Sequence, residues 1–164
     1  MSGLRFVCLV FGLMTPVAVA VLTSNAATNN PTEVVFKGRT FTEVDVRGVY
    51  AFSFEGTVIQ LGPAVAMVAS PIAAAGVVVA DGTGSIIDAV RTLSVNGTAA
   101  KQTFTCTYSV NPNGTGSATC ALANPLPGAP LEETFDFVLE DAGRAFRLIG
   151  TTPGITVVGS GTRQ

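Results

Sequence analysis

The stretch TFTCTYSVNPNGTGSATCAL, residues 103–122, constrains this chain more than any other. Pro112 presets φ for the first central position of a type I turn, Asn113 suits the second, and Gly114 takes the left-handed conformation that follows. Such a three-residue hairpin loop, closed by a glycine bulge, pairs Asn111 with Thr115. Counting outward, 110 faces 116, 108 faces 118 and 106 faces 120. The turn chemistry therefore sets Cys106 opposite Cys120, at a non-hydrogen-bonded pair where side chains approach most closely. A disulfide fits there, and loop-closure entropy credits it with about 3 kcal/mol. Metal binding is the weaker reading: it needs about four ligands, and the chain has no histidine and only one more cysteine, Cys8. A redox pair is usually spaced more closely, as in C-x-x-C. Two free buried thiols are the remaining alternative.

Strict alternation extends from this hairpin. Phe104, Cys106, Tyr108 and Val110 share one face, and Thr103, Thr105, Thr107 and Ser109 the other. Period two with β-branched polar residues outside describes a half-buried antiparallel strand. The pattern recurs in GVYAFSFEG (Tyr50, Phe52, Phe54), in ETFDFVLE (Phe135, Phe137, Leu139) and in AFRLIG (Phe146, Leu148). Turn signals separate the runs: ADGTGS at 80–85, Asn96-Gly97, EDAG at 140–143 and TTPG at 151–154. Strands are expected over 48–60, 74–80, 84–95, 98–110, 115–123, 131–140, 144–150 and 154–162. Eight sequential strands with tight links predict an all-β, antiparallel up-and-down barrel, which leaves no open edge. The alternative is a two-sheet β-sandwich. The apolar stretch 61–73, LGPAVAMVASPIA, reads as a long loop, either a lid over one barrel end or a portal for ligand.

The N-terminus has a different character. Arg5 precedes the apolar run FVCLVFGLMTPVAVAVL, and Ser24 and Ala26 stand where a signal peptidase prefers small residues. Residues 1–26 read as a secretory signal peptide cleaved near Ala26, with an uncleaved membrane anchor as the alternative. Residues 27–47 read as a polar leader, and 48–164 as the barrel domain. Cleavage would remove Cys8 and leave an even cysteine pair in a secreted or periplasmic, oxidising setting. It would also leave eight basic residues against eleven acidic ones, a balance with no attraction for nucleic acid.

GVYAFSFEG, ADGTGSI, VNGT and TCTYSVNPNGTGSAT together resemble a group of uncharacterised bacterial exported proteins. These open with G-x-Y-x-F and carry A-D-G-x-G and T-Y-x-V-N-x-x-G-x-G hairpins. The likeness spans roughly 48–163; its motifs are turn chemistry and imply architecture rather than activity. A looser resemblance is to the calycins, the lipocalin-like barrels, whose first strand opens with G-x-W and packs that ring against a late arginine. Gly48-x-Tyr50 and either Arg147 or Arg163 stand in those places here, without the tryptophan. Allene oxide cyclase and dirigent proteins are also eight-stranded barrels, but their site residues have no convincing counterpart here.

The absence of histidine removes Ser-His-Asp, Cys-His and His-metal chemistry together. No catalytic residue, cofactor or metal site is assigned. The ligand-binding candidates are the inward rows Tyr50, Phe52, Phe54, Phe104, Tyr108, Phe135 and Phe137. The Asn96-Gly97 register adds Arg91 beside Gln102, as a polar anchor for a ligand carboxylate or carbonyl. Glu55 and Asp136 fall opposite their aromatic neighbours, and Asp88 has no clear side. The leading expectation is non-catalytic binding or carriage of a small apolar molecule. A cofactor-free isomerase or cyclase using a buried acid with Arg91, and a structural or interaction protein with a filled barrel, are the alternatives.

Overall fold

The computed structural model describes residues 38–61, 67–126 and 129–164. The expected signal peptide, the leader up to residue 37 and residues 62–66 lie outside that range. Eight strands follow one another: β1 (Gly48–Leu61), β2 (Met67–Ala80), β3 (Ser85–Val95), β4 (Thr98–Val110), β5 (Thr115–Leu122), β6 (Glu132–Glu140), β7 (Ala145–Gly150) and β8 (Ile155–Arg163). Each pairs antiparallel with the next, and β8 pairs back onto β1, from Val58 opposite Ile155 to Tyr50 opposite Arg163. That last ladder closes the barrel and excludes the two-sheet sandwich.

The hairpin register is the one that the turn chemistry dictates. Cys106 pairs with Cys120, Tyr108 with Ala118 and Val110 with Gly116. Gly114 sits at φ 85°, and Asn111 donates its amide to the Thr115 carbonyl at 2.7 Å. The two cysteines form a disulfide with their Cα atoms 4.0 Å apart. The Asn96-Gly97 turn likewise pairs Arg91 with Gln102.

Inside, large and small residues are matched across strands. Phe52 lies opposite Gly76 and Gly161, Phe54 opposite Gly159, Phe135 opposite Gly150, Phe137 opposite Gly116 and Phe146 opposite Gly161. A Cβ at Gly116 would overlap the Phe137 ring. An eight-stranded barrel has just enough interior for side chains to fill, so the rings of β1, β6 and β7 fit because their cross-strand partners have none.

Three segments depart from expectation. The stretch 61–73 is mostly not a loop: β2 begins at Met67, and Pro71 pairs with Thr57. Its outward row, with Ala69, Pro71, Ala73 and Ala75, is as apolar as its inward one, so the polar alternation that marks a strand is missing. Pro71 lies just past the end of the β2–β3 register at Ile72 opposite Val95, where its carbonyl still accepts the Asn96 amide at 2.9 Å and no N–H is called for. In β3, a bulge between Ile86 and Ala89 shifts the phase. Ile87 and Asp88 both face outward, and Ala89, Arg91 and Leu93 face inward. Finally, the leader is not merely polar. A 3-10 helix, Glu43–Val46, sits over one barrel end and buries Val46 in the core, with Phe41 packed beside it.

The disulfide closes a hairpin of sequence separation 14. Its removal by Cys106→Ala/Cys120→Ala is expected to lower stability by about 3 kcal/mol, read as a lower urea midpoint. An unchanged midpoint would show that the turn alone fixes this hairpin.

Candidate functional site: the barrel interior

At the end covered by the 3-10 helix, Tyr50 is almost completely buried and its hydroxyl donates to the Gly143 carbonyl at 2.5 Å. Arg163, from the last strand, lies 5.3 Å over the Tyr50 ring. Its Nη2 donates to the Tyr50 hydroxyl at 2.7 Å and to the Asp45 carbonyl at 2.6 Å. The first and last strands and the 3-10 helix are thereby tied at one point. Arg147, the other late arginine, is exposed and bonded to Glu140. Tyr108 donates to the Glu43 carbonyl at 3.2 Å, and burial pushes its phenol pKa above the ordinary value.

Three carboxylates hold the segments at this end, each with its pKa below the usual range. Glu43 accepts the Val110 amide at 3.1 Å, and that bond is the main cause of its shift. Asp81 accepts the Thr83 hydroxyl first, then the amides of Thr83 and Ser85. For Asp45, burial pushes upward but is outweighed by the Thr42 amide and the Arg39 guanidinium together.

Deeper in the barrel is a charged cluster. Arg91 is 2% exposed, Gln102 1% and Glu133 6%. The Arg91 guanidinium meets Glu133 with two parallel bonds, Nη1 to Oε2 at 2.6 Å and Nη2 to Oε1 at 2.7 Å. Its Nε donates to Gln102 Oε1 at 2.9 Å. The rings of Phe54 and Phe104 lie against it, with centroids 5.5 and 5.3 Å from the guanidinium carbon. This is a fully partnered buried pair: charge on charge, a neutral amide on the third nitrogen and aromatic contacts beside it.

Between the Tyr50 end and the Arg91 cluster is an apolar cavity of about 90 Å³. Its walls include Phe52, Phe54, Phe104, Phe135, Phe137 and Phe146, with the Cys106–Cys120 disulfide on one side. Arg91 is the one charged residue on its lining among the described residues. No protein-family model, curated protein or solved structure matches this chain.

Of the ligand-binding candidates, Tyr50, Phe52, Phe54, Arg91, Phe104, Tyr108, Phe135 and Phe137 line this one cavity. Gln102 stands behind Arg91 as its partner rather than on the cavity wall. Asp88, Glu55 and Asp136 are exposed on the outside. Glu133 was missed, although the sequence carries its signal: it falls two residues before Phe135 in the inward row of ETFDFVLE. Period two places it inside, and a buried carboxylate requires a cation.

Breaking the pair from one side leaves a buried charge unmatched. Glu133→Ala is expected to cost about 3–5 kcal/mol, and the double variant Arg91→Met/Glu133→Leu much less. Urea unfolding of both variants tests this; equal losses would mean that the two side chains do not act as a pair. The three depressed carboxylates give a second expectation. A folded pKa below the unfolded one stabilises above the unfolded value, and that contribution is lost as pH falls through the folded value. Thermal stability should therefore be flat from neutral pH down to about 5 and fall below about pH 4, with a smaller fall in Glu43→Gln. An acid limb identical in wild type and variant would remove Glu43 from that account.

Proposed function

We propose that this chain is an exported binding or carrier barrel whose interior holds a compact, apolar small molecule, without catalysis. The aromatic-lined apolar cavity carries this reading. Its volume, about 90 Å³, compares with roughly 150 Å³ for an apolar cavity that takes benzene. The occupant is thus of benzene size or smaller unless the rings move aside. Export is supported by the N-terminal pattern and by the disulfide, a bond that persists in oxidising compartments. The likeness to bacterial exported barrels and, more loosely, to calycins agrees with this. In support of the calycin likeness, Tyr50 and Arg163 stack where that family sets its first-strand ring against a late arginine.

The isomerase reading loses its named acid, because Asp88 is exposed. The buried acid, Glu133, has both oxygens engaged by Arg91. A specific observation favours the filled, structural barrel as the second reading: among the described residues, every buried side-chain nitrogen and oxygen already has a partner.

Titration with benzene, followed by NMR of the lining methyl groups, separates the two. Saturable shifts at Ala118, Val78 and Leu139 are expected, and Ala118→Leu, which fills the cavity, should weaken binding at least about tenfold by overpacking the space. Native mass spectrometry of protein from its own source should show an added mass that is lost on denaturation. Absence of both saturable shifts and bound mass would leave the filled barrel.

A further inference from the structure

The outer wall of β1, β2 and β3 differs from the rest of the described exterior. A strand with one face in water alternates apolar and polar residues, and a strand buried on both faces reads as a continuous apolar run. β2 is of the second kind. Ala69, Pro71, Ala73, Ala75, Val77 and Val79 all point outward, and none is polar. The barrel covers only the other face.

Neighbouring strands extend this surface. Val49 pairs with Val79, Ala51 with Val77, and Val77 with Val90. Val49, Val77 and Val90 are 40%, 38% and 46% exposed, and they adjoin one another rather than lie scattered. Elsewhere the outward rows are polar: Glu132, Asp136 and Glu140 on β6, Arg147 on β7, and threonine and serine on β4 and β5.

Opposite charges stand on the two sides of the apolar strip. Glu55 on β1 pairs with Ala73, and Lys101 on β4 pairs with Thr92, so β2 and β3 lie between them. Both are exposed, and neither has an ion-pair partner among the described residues. A twofold axis in the plane of a face-to-face contact exchanges the two positions. Glu55 of each copy then meets Lys101 of the other, and the face is complementary to itself. Four strands about 4.8 Å apart and five outward rows about 6.7 Å apart cover roughly 600 Å². Two copies would bury about 1,200 Å², the lower bound for a specific interface.

We propose that the outer wall of β1, β2 and β3 is a homodimer interface, its valines covered by a second copy and its margins joined by two Glu55–Lys101 pairs. This stands apart from the interior cavity and does not rest on the binding reading.

Sedimentation velocity of the purified protein over a concentration series tests it. A monomer–dimer equilibrium with a Kd in the micromolar range is expected, as suits an interface of this size. Val77→Arg puts a charge on an already exposed position, and should weaken association at least about tenfold with an unchanged circular dichroism spectrum. Glu55→Lys and Lys101→Glu should each weaken it several-fold. The double variant Glu55→Lys/Lys101→Glu should restore it, which a general effect of charge on folding or solubility would not do. A monomer at every concentration would overturn the proposal. So would a dimer that Val77→Arg leaves intact, or one that the double variant fails to restore. A protein that stays monomeric yet floats with phosphatidylcholine vesicles, and loses that as Val77→Arg, would assign the face to a bilayer instead.

Discussion

The guanidinium of Arg91 is the constraint around which the barrel interior is arranged. A cation at 2% exposure among phenylalanines is tolerated only when its charge and its donors are met. Glu133 meets the charge with two bonds, and Gln102 the third nitrogen. Arg91, Gln102 and Glu133 come from three strands, β3, β4 and β6; the β3–β4 hairpin supplies Gln102 by itself, but the two Glu133 bonds form only once β6 is in register across the interior. Pairs of this kind add little net stability over apolar residues of the same size. Their effect is on which arrangement of strands is tolerable at all.

Around that cluster, space is apportioned by residue size. Each inward phenylalanine of β1, β6 and β7 stands opposite an inward glycine. A barrel of this strand number could not hold those rings in facing pairs. The opposite end is stoppered by Val46, beneath a 3-10 helix whose backbone is held through Tyr50, Tyr108 and Arg163. What remains between stopper and ion pair is an apolar cavity walled by aromatic rings.

Much of this was legible in the sequence, for identifiable reasons. Turn residues encode register directly: Pro112-Asn113-Gly114 placed Cys106 on Cys120, and Asn96-Gly97 placed Arg91 on Gln102. Alternation revealed the strands wherever one face was polar. It failed on the first half of β2, before residue 74, where both faces are apolar, because the signal is a difference between faces and not hydrophobicity itself. It lost phase in β3 because a bulge places Ile87 and Asp88 on the same side. The capping helix was hidden because only Val46 of its four residues is buried, and one apolar residue carries no period. Glu133 was in view in an inward row; the inference that fails is the habit of assigning charged residues to the surface.

Register explains why a buried ion pair is retained here. Tight turns fix β3 to β4 and β4 to β5, and the disulfide adds a covalent pin to the latter. The connection from β5 to β6 runs over residues 123–131, too long to dictate a pairing by turn geometry. A slip of one residue there would turn every side chain of β6 to the other face. Glu132, exposed on the outside, would enter the core, and Glu133 would leave it. Arg91 would then lose the two bonds that make its burial tolerable. The cost of that loss, several kcal/mol for an uncompensated buried charge, separates the native register from its neighbours at a junction that no tight turn specifies. Cys120 stands opposite Glu133 in the same ladder. The disulfide therefore sets β5 on one side, the ion pair sets β6 on the other, and the aromatic wall of Phe135 and Phe137 follows from the two together.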